Sequence, residues 1–412
     1  MITKNVLVFF LLLLETPPLP SADKPPKVLN GIDVLREQNF APLAGKRVGL
    51  ITNHTGLAAD GTTTIDLLHK SKVCELVALF SPEHGIRGIM DAEVSSSVDA
   101  STGLPIYSLY GDTKRPTAEM LKRIDVLVFD IQDIGARFYT YITTMAYCME
   151  AAAKADIPIY VLDRPNPLGG TRVEGPMLDA GRMSFVGYIP LPVRHGMTVG
   201  ELARYFNAEK GVGANLQVVE MKGWLRPYYF WDTGQLWVNP SPNMRNMMEA
   251  ILYPGVCLLE KTNVSVGRGT DRPFEVVGAP WIEPRRFAAS LMAAQMPGVR
   301  FVPIFFTPRS GTNQGRRCGG VSLIITNADK LKSVLLGLTL ASVLYRLYPE
   351  EFELDNMMEL LGNAEAMKKL KAGEPPAEIA QKTGADFQRF LSKRQKALIY
   401  DIAPMAKEGR QQ

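Results

Sequence analysis

Carboxylates, imidazoles, amides and arginines recur where four apolar runs of this sequence end, and that recurrence is its first chemical signal. Thr52-Asn53-His54-Thr55-Gly56 closes the first run and Ser81-Pro82-Glu83-His84-Gly85-Ile86-Arg87-Gly88 the second. Asp130-Ile131-Gln132-Asp133-Ile134-Gly135-Ala136-Arg137 closes the third, and Asp163-Arg164-Pro165-Asn166-Pro167-Leu168-Gly169-Gly170 the fourth. In an open parallel α/β sheet, ligands bind beyond the carboxyl ends of the strands, so these segments describe the rim of a cleft suited to proton transfer. Glu83 stands out. Ser81-Pro82 before it and Gly85 after it define a tight turn that projects a side chain from a rigid base. Partial desolvation there favours a general acid, whereas the neighbouring His84 favours an ionised carboxylate, and both states stay open. His84 and Asp130 complete the catalytic candidates. Asp130, Asp133, Asp163 and Glu260 all qualify as a second carboxylate.

Arg87, Arg137 and Arg268 are candidate anion contacts, because a guanidinium forms a bidentate fork with carboxylates. Arg268 lies in Val264–Gly278, where Gly267 and Gly269 free the backbone to present a long side chain. Tyr107, Tyr110, Tyr139 and Tyr141 suit stacking on a sugar ring, though Tyr139 and Tyr141 suit a core equally well. Other chemistries lack their motifs. No G-x-G-x-x-G follows the first run and no G-x-x-x-x-G-K-[ST] occurs, so no nucleotide cofactor is expected. The nucleophile elbow G-x-S-x-G is missing. The four histidines, at 54, 69, 84 and 195, form no H-E-x-x-H. Asp130, Asp133 and His84 can converge on a divalent ion, but no spacing compels it, and no metal is expected.

The elements that must position these residues follow from periodicity. Runs Arg47–Thr52, Glu75–Phe80, Val126–Asp130 and Ile157–Leu162 alternate with stretches whose apolar spacing is three and four, such as Thr62–Lys70, Thr117–Arg123 and Phe138–Lys154. This pattern predicts βαβ units and a parallel sheet covered on both faces. A boundary is expected between Asn243 and Gly278, and the segment Val264–Gly278 reads as irregular. Beyond it, Phe301–Phe306 and Gly320–Thr326 read as strands of a smaller α/β part, and Leu331–Tyr348 as a helix. Ala364–Tyr400 is helical, broken by Gly373-Glu374-Pro375-Pro376.

The 412 residues carry 46 Lys+Arg against 42 Asp+Glu, a formal charge of +4, with no block of like charge, so a nucleic-acid partner is not expected. Lys4, the apolar run Val6–Leu14 and Ser21-Ala22 have the form of a signal peptide over residues 1–22. The expected location is therefore periplasmic or extracellular, with no stable membrane insertion after cleavage. Four cysteines with no C-x-x-C read as buried thiols.

The motifs LITNHTG (50–56), FSPEHGIRG (80–88), PIYSLYG (105–111), DIQDIGARFYTY (130–141), LDRPNPLGG (162–170), NPSPNMRN (239–246) and EKTNVSVGRGTDRPFEVVGAPW (260–281) resemble the exo-β-N-acetylmuramidase family. These NamZ-type proteins were long known only as a domain of unknown function. The resemblance runs from about Gly31 to Tyr400. It implies a glycoside hydrolase that releases terminal N-acetylmuramic acid from the non-reducing end of peptidoglycan fragments. It also implies a Rossmann-like domain (28–250), a smaller C-terminal α/β domain (251–404) and a cleft between them. The family's catalytic glutamate matches Glu83. Within these motifs Asn53, Gln132, Asn166, Asn243, Glu260, Asn263 and Ser265 join Arg87, Arg137, Tyr139 and Arg268 as candidate substrate contacts. His54 stands where similar sequences often have glutamine. Muramic acid carries a lactyl carboxylate that an arginine can read, and the leaving oxygen needs the proton Glu83 can supply. A second carboxylate or the substrate's own 2-acetamido group can complete the reaction. Two other classes remain open at this level, a non-catalytic muropeptide-binding protein and a metal-dependent peptidoglycan amidase or deacetylase.

Overall fold

Strands whose residues are apolar on both faces need cover on both faces, and the chain supplies it with helices between successive strands. The computed structural model describes residues 28–86, 97–111, 113–380 and 384–402; Arg87 and the expected signal peptide over 1–22 lie outside them. The strands are β1 (Arg47–Thr52), β2 (Glu75–Ser81), β3 (Ser97–Val98), β4 (Pro105–Ser108), β5 (Val126–Asp130), β6 (Ile159–Leu162), β7 (Glu174–Met177), β8 (Pro192–Arg194), β9 (Leu216–Val219), β10 (Val276–Ala279), β11 (Val299–Phe306) and β12 (Cys318–Ile325). The helices are α1 (Gly31–Glu37), α2 (Thr64–Lys70), α3 (Ala118–Leu121), α4 (Tyr141–Lys154), α5 (Val199–Glu209), α6 (Met247–Val256), α7 (Pro284–Ala293), α8 (Ser333–Leu347), α9 (Met358–Leu361), α10 (Ala364–Lys371), α11 (Pro376–Ile379) and α12 (Ala385–Ala397).

The larger sheet runs β3-β4-β2-β1-β5-β6-β9, parallel except for the short edge strand β3. From β1 the chain adds β2 and β4 on one side, then β5, β6 and β9 on the other. The strand order therefore reverses between β1 and β5. This is the parallel α/β sheet that the alternating runs predict and the Rossmann-like architecture that the family resemblance implies, and four of its strands match those runs closely.

The smaller sheet, β10-β12-β11, is antiparallel throughout. Its strand β10 corrects the reading of Val264–Gly278 as irregular. Val276–Ala279 pairs with Gly319–Ser322, and Gly278 and Gly320 lie backbone against backbone, a Cβ on Gly320 falling 2.0 Å from the Val277 carbonyl. A four-residue strand that contains a glycine, against a glycine-rich partner, shows no apolar alternation to read. One buried apolar cluster is continuous across both sheets.

Helices α6 and α8 hold the smaller part against the cleft by packing backbone to backbone. A Cβ on Gly255 would lie 1.8 Å from the Ser333 carbonyl oxygen, and one on Gly337 2.2 Å from that of Gly255. The Ser333 hydroxyl donates to the Ile251 carbonyl at 2.5 Å. Gly337→Ala should force these helices apart and lower stability by roughly 1–3 kcal/mol, the usual cost of overpacking. Urea denaturation of the two proteins measures it, and an unchanged midpoint would show that the contact yields freely.

Candidate active site

The turn after β2 places Glu83 by unusual backbone geometry. His84 has φ +71° and Gly85 φ +75°, two successive left-handed residues, and the Gly85 N–H donates to the Pro82 carbonyl at 3.1 Å. A left-handed histidine is strained by about 1 kcal/mol, a burden that recurs at functional turns. Glu83 points toward the loop after β5, where the Thr140 hydroxyl donates to its Oε2 at 2.5 Å. Thr140 immediately precedes α4, so the carboxyl is braced between two strand-end segments.

Glu83 and His84 line a cavity of about 190 Å³. Its floor is aromatic and buried: Tyr139 meets Tyr141 edge-on at 4.9 Å and Tyr253 at 5.7 Å, and Tyr253 meets Phe274 at 4.8 Å. The Tyr141 hydroxyl donates to the Pro240 carbonyl at 2.6 Å. Burial pushes the phenols of Tyr139, Tyr141 and Tyr253 upward, so they stay neutral and present apolar faces.

The opposite wall comes from the turn after α6 and the loop before β10. Glu260 pairs through Oε1 with Arg268 Nη2 at 3.0 Å, while the Cys257 thiol donates to Oε2 at 3.4 Å. Burial, then the Glu260 charge, push the Cys257 thiol well above its ordinary range, which makes it a hydrogen-bond donor rather than a nucleophile. Gly267 (φ +84°) and Gly269 (φ +76°) turn the chain on either side of Arg268. A Cβ on Gly269 would fall 2.4 Å from the Ser310 nitrogen, so no other residue fits there. Two carboxyl groups and a guanidinium thus surround an aromatic floor, an arrangement able to hold a sugar ring bearing an acidic substituent and to protonate it.

Of the residues singled out from sequence, the cavity gathers Glu83, His84, Tyr110, Tyr139, Tyr141, Glu260 and Arg268. Others have structural partners. Asp130 is corrected as a catalytic candidate. It is fully buried at the end of β5, with Arg164 Nε at 2.6 Å from one oxygen and Nη2 at 3.0 Å from the other, and the Thr64 hydroxyl also donates to it. Asp163 is likewise buried, held by Thr198, Gly200 and Tyr400. Arg137 is corrected as an anion contact, since its guanidinium donates to the carbonyls of Pro176, Leu191, Leu360 and Leu361.

The amides shape loops. Asn53 accepts from the Thr55 N–H and hydroxyl, and Gln132 donates to the Asp133 and Pro165 carbonyls. Asn166 bridges Met197 and Leu168, and Asn263 bridges Glu351 and Glu353. The Ser265 hydroxyl accepts from the Gly267 N–H. Asn243 is buried two residues from Ser241, which does line the cavity. Sequence reasoning missed Thr140, Tyr253, Cys257, Phe185 and Val186 as cavity residues. Thr140 sits inside a quoted motif and was within reach. The others lie in an apolar helix and a loop that carry no chemical signal of their own.

Beneath the loop after β5, Asp133 faces His195. His195 Nδ1 accepts the Met197 N–H at 3.2 Å, which places the ring proton on Nε2, 3.8 Å from Asp133 Oδ2. Burial lowers His195 to about 3 and raises Asp133 to about 7, the latter against the opposing hydrogen bonds from the Gly135 and Ile134 N–H groups. All four cysteines are free and buried. Among the described residues, no group of three or more His, Cys, Asp or Glu side chains is placed to hold a metal ion.

Comparison with known proteins agrees with this architecture. Residues 48–248 match the family model described as Exo-beta-N-acetylmuramidase NamZ, N-terminal, and residues 251–400 match its C-terminal counterpart. The chain is 47% identical over 382 residues to the peptidoglycan beta-N-acetylmuramidase NamZ of Bacillus subtilis (strain 168), covering 92% of each protein. Two crystal structures of DUF1343 family proteins from Bacteroides fragilis NCTC 9343 share the fold. One has TM-score 0.83 at 38% identity and the other 0.74 at 33%; each alignment covers 91% of this chain and 99% of the other.

The raised Asp133 carboxyl has a consequence for stability. Between the ordinary carboxylate range and pH 7 the unfolded chain is ionised at this residue while the folded protein keeps its proton, so stability falls as pH rises through that window. Asp133→Asn removes this dependence and retains an acceptor for the Gly135 N–H. From pH 5 to pH 8, wild type should lose on the order of 2–3 kcal/mol relative to Asp133→Asn. Denaturant titrations of both proteins at the two pH values test this, and a constant difference between them would contradict it.

Proposed function

The chain belongs to the NamZ family of exo-β-N-acetylmuramidases, and on that premise we propose that it removes N-acetylmuramic acid from the non-reducing ends of peptidoglycan fragments, with Glu83 delivering the proton. It is a glycosidase of peptidoglycan. The observation that best supports the assignment of Glu83 is its place: a carboxyl braced by Thr140 over an aromatic-floored cavity whose far wall carries the Glu260–Arg268 pair. The terminal sugar rests on Tyr139, Tyr141 and Tyr253, and Glu83 protonates the departing glycosidic oxygen. Glu260 is the only other carboxylate in the wall of this cavity among the described residues, and it or the substrate's 2-acetamido group supplies the second function.

Arg268 reads the lactyl carboxylate in this scheme. Its planar fork of five donors suits a carboxylate, which supports this role. The leader-like segment supports export, which brings the enzyme to its polymer and releases muramic acid for recycling. Among the described residues, no helix is long and apolar enough to cross a membrane.

Digestion of N-acetylmuramyl-N-acetylglucosamine, with product analysis, is the direct test. Glu83→Gln should fold normally and lose at least ~10²-fold in rate. Near-normal turnover by that variant would remove Glu83 from the proton-transfer role. Arg268→Ala should weaken use of the muramyl substrate by roughly 10- to 150-fold, the equivalent of one charge-assisted hydrogen bond, and Arg268→Lys should restore it only in part. The preference for muramic acid over N-acetylglucosamine at the terminal position should fall with it. Measuring both glycosides decides the point, because a merely structural ion pair would leave their ratio unchanged.

A further inference from the structure

At about 190 Å³ the cavity is at the small end for ligand sites. The leaving part of the substrate must therefore lie at the mouth, and the mouth is built. Ser184 and Gly187 exchange reciprocal backbone hydrogen bonds of 3.0 and 3.1 Å, a two-residue turn whose tip presents Phe185 and Val186 to the cavity. Both are half-buried, as is Tyr110, whose ring lies 6.1 Å from Phe185 at 39°. Tyr110 follows β4, and its turn is held by the Ser108 hydroxyl, which donates to the Tyr110 carbonyl at 2.9 Å.

Phe185 is braced from behind as well. Tyr147 of α4 lies 6.1 Å away, and the Lys114 ammonium sits 4.6 Å from the Phe185 ring centroid. Phe185 is half-buried at the tip of a turn, and three side chains fix its orientation. None of the catalytic chemistry uses it.

We propose that Phe185 and Tyr110 form the subsite for the leaving sugar, a platform on which the C–H face of the penultimate N-acetylglucosamine stacks while its glycosidic oxygen takes the proton. An aromatic face attracts the polarised C–H bonds of a pyranose and tolerates its hydroxyls at the ring edge. The subsite makes the enzyme a reader of saccharide on both sides of the bond. The assignment rests on the reading of the chain as a muramidase.

The test compares two substrates that share the terminal residue. N-acetylmuramyl fluoride releases only a fluoride ion and needs no platform, whereas N-acetylmuramyl-N-acetylglucosamine needs it fully. For Phe185→Ala, the ratio of kcat/KM on disaccharide to kcat/KM on fluoride should fall roughly tenfold or more, the loss expected for an uncovered aromatic face. Phe185→Tyr, which keeps the ring, should retain the wild-type ratio. Because the ratio does not depend on the fraction of folded protein, a destabilised variant still reports. An unchanged ratio in Phe185→Ala overturns the subsite and leaves the muramidase reading standing. Failure of wild type on both substrates overturns that reading and the subsite with it.

Discussion

The site depends on a buried guanidinium held by backbone carbonyls. Arg137 is buried, and burial pushes it down to about 9, the Asp179 charge acting in the opposite direction. Its cost in desolvation is offset by four backbone carbonyls at 2.6–3.3 Å, those of Pro176, Leu191, Leu360 and Leu361. Two of these end α9, where unpaired carbonyls and the helix dipole attract a cation. One side chain therefore ties the loop after β5 to the β7–β8 pair and to the C-terminal helices. Tyr139 and Thr140 follow it within three residues, so the floor of the cavity and the brace on Glu83 inherit its rigidity. Leu360, whose carbonyl it holds, lines the same cavity.

A Rossmann-like sheet offers a crevice where its strand order reverses, and here a cavity of about 180 Å³ lies there, with Thr55, Gln132 and Arg164 in its wall. Asp130 at the end of β5 binds Arg164 from the end of β6, and the Thr52 hydroxyl of β1 donates to the Asp130 carbonyl. The cleft opens further along the rim, between the β2 and β5 loops and the smaller sheet. The larger domain thus brings Glu83, and the smaller part brings the charged pair that faces it. Neither set of residues forms a pocket alone.

Charge inside the protein is arranged so that the chemistry stays at the mouth. Asp130 and Arg164 neutralise one another, His195 stays neutral because burial lowers it, and Cys257 stays a thiol. Among the described residues, Glu83 and the Glu260–Arg268 pair are what remain in the cavity wall to meet a substrate, together with His84 and Lys261.

Periodicity determined much of this protein by itself. Continuous apolar runs predict β1, β2, β5 and β6 nearly to the residue, and Pro82 with Gly85 marks the turn that carries Glu83. These signals are local: a strand's exposure pattern or a left-handed turn is written in neighbouring residues. The partners of polar side chains are not. Asp130, Asp133 and Asp163 look equivalent to Glu260 in sequence, and only the fold pairs the first with Arg164, turns the second toward His195, encloses the third and leaves Glu260 in the cavity. Arg137 and Arg268 both sit in glycine-containing loops, yet one meets carbonyls 223 and 224 residues away while the other meets Glu260 beside it on the cavity wall. A charge buried far from water must find its partners wherever the chain brings them. Which arginine reaches the cavity wall is therefore decided by tertiary packing, to which the spacing of residues along the chain is blind.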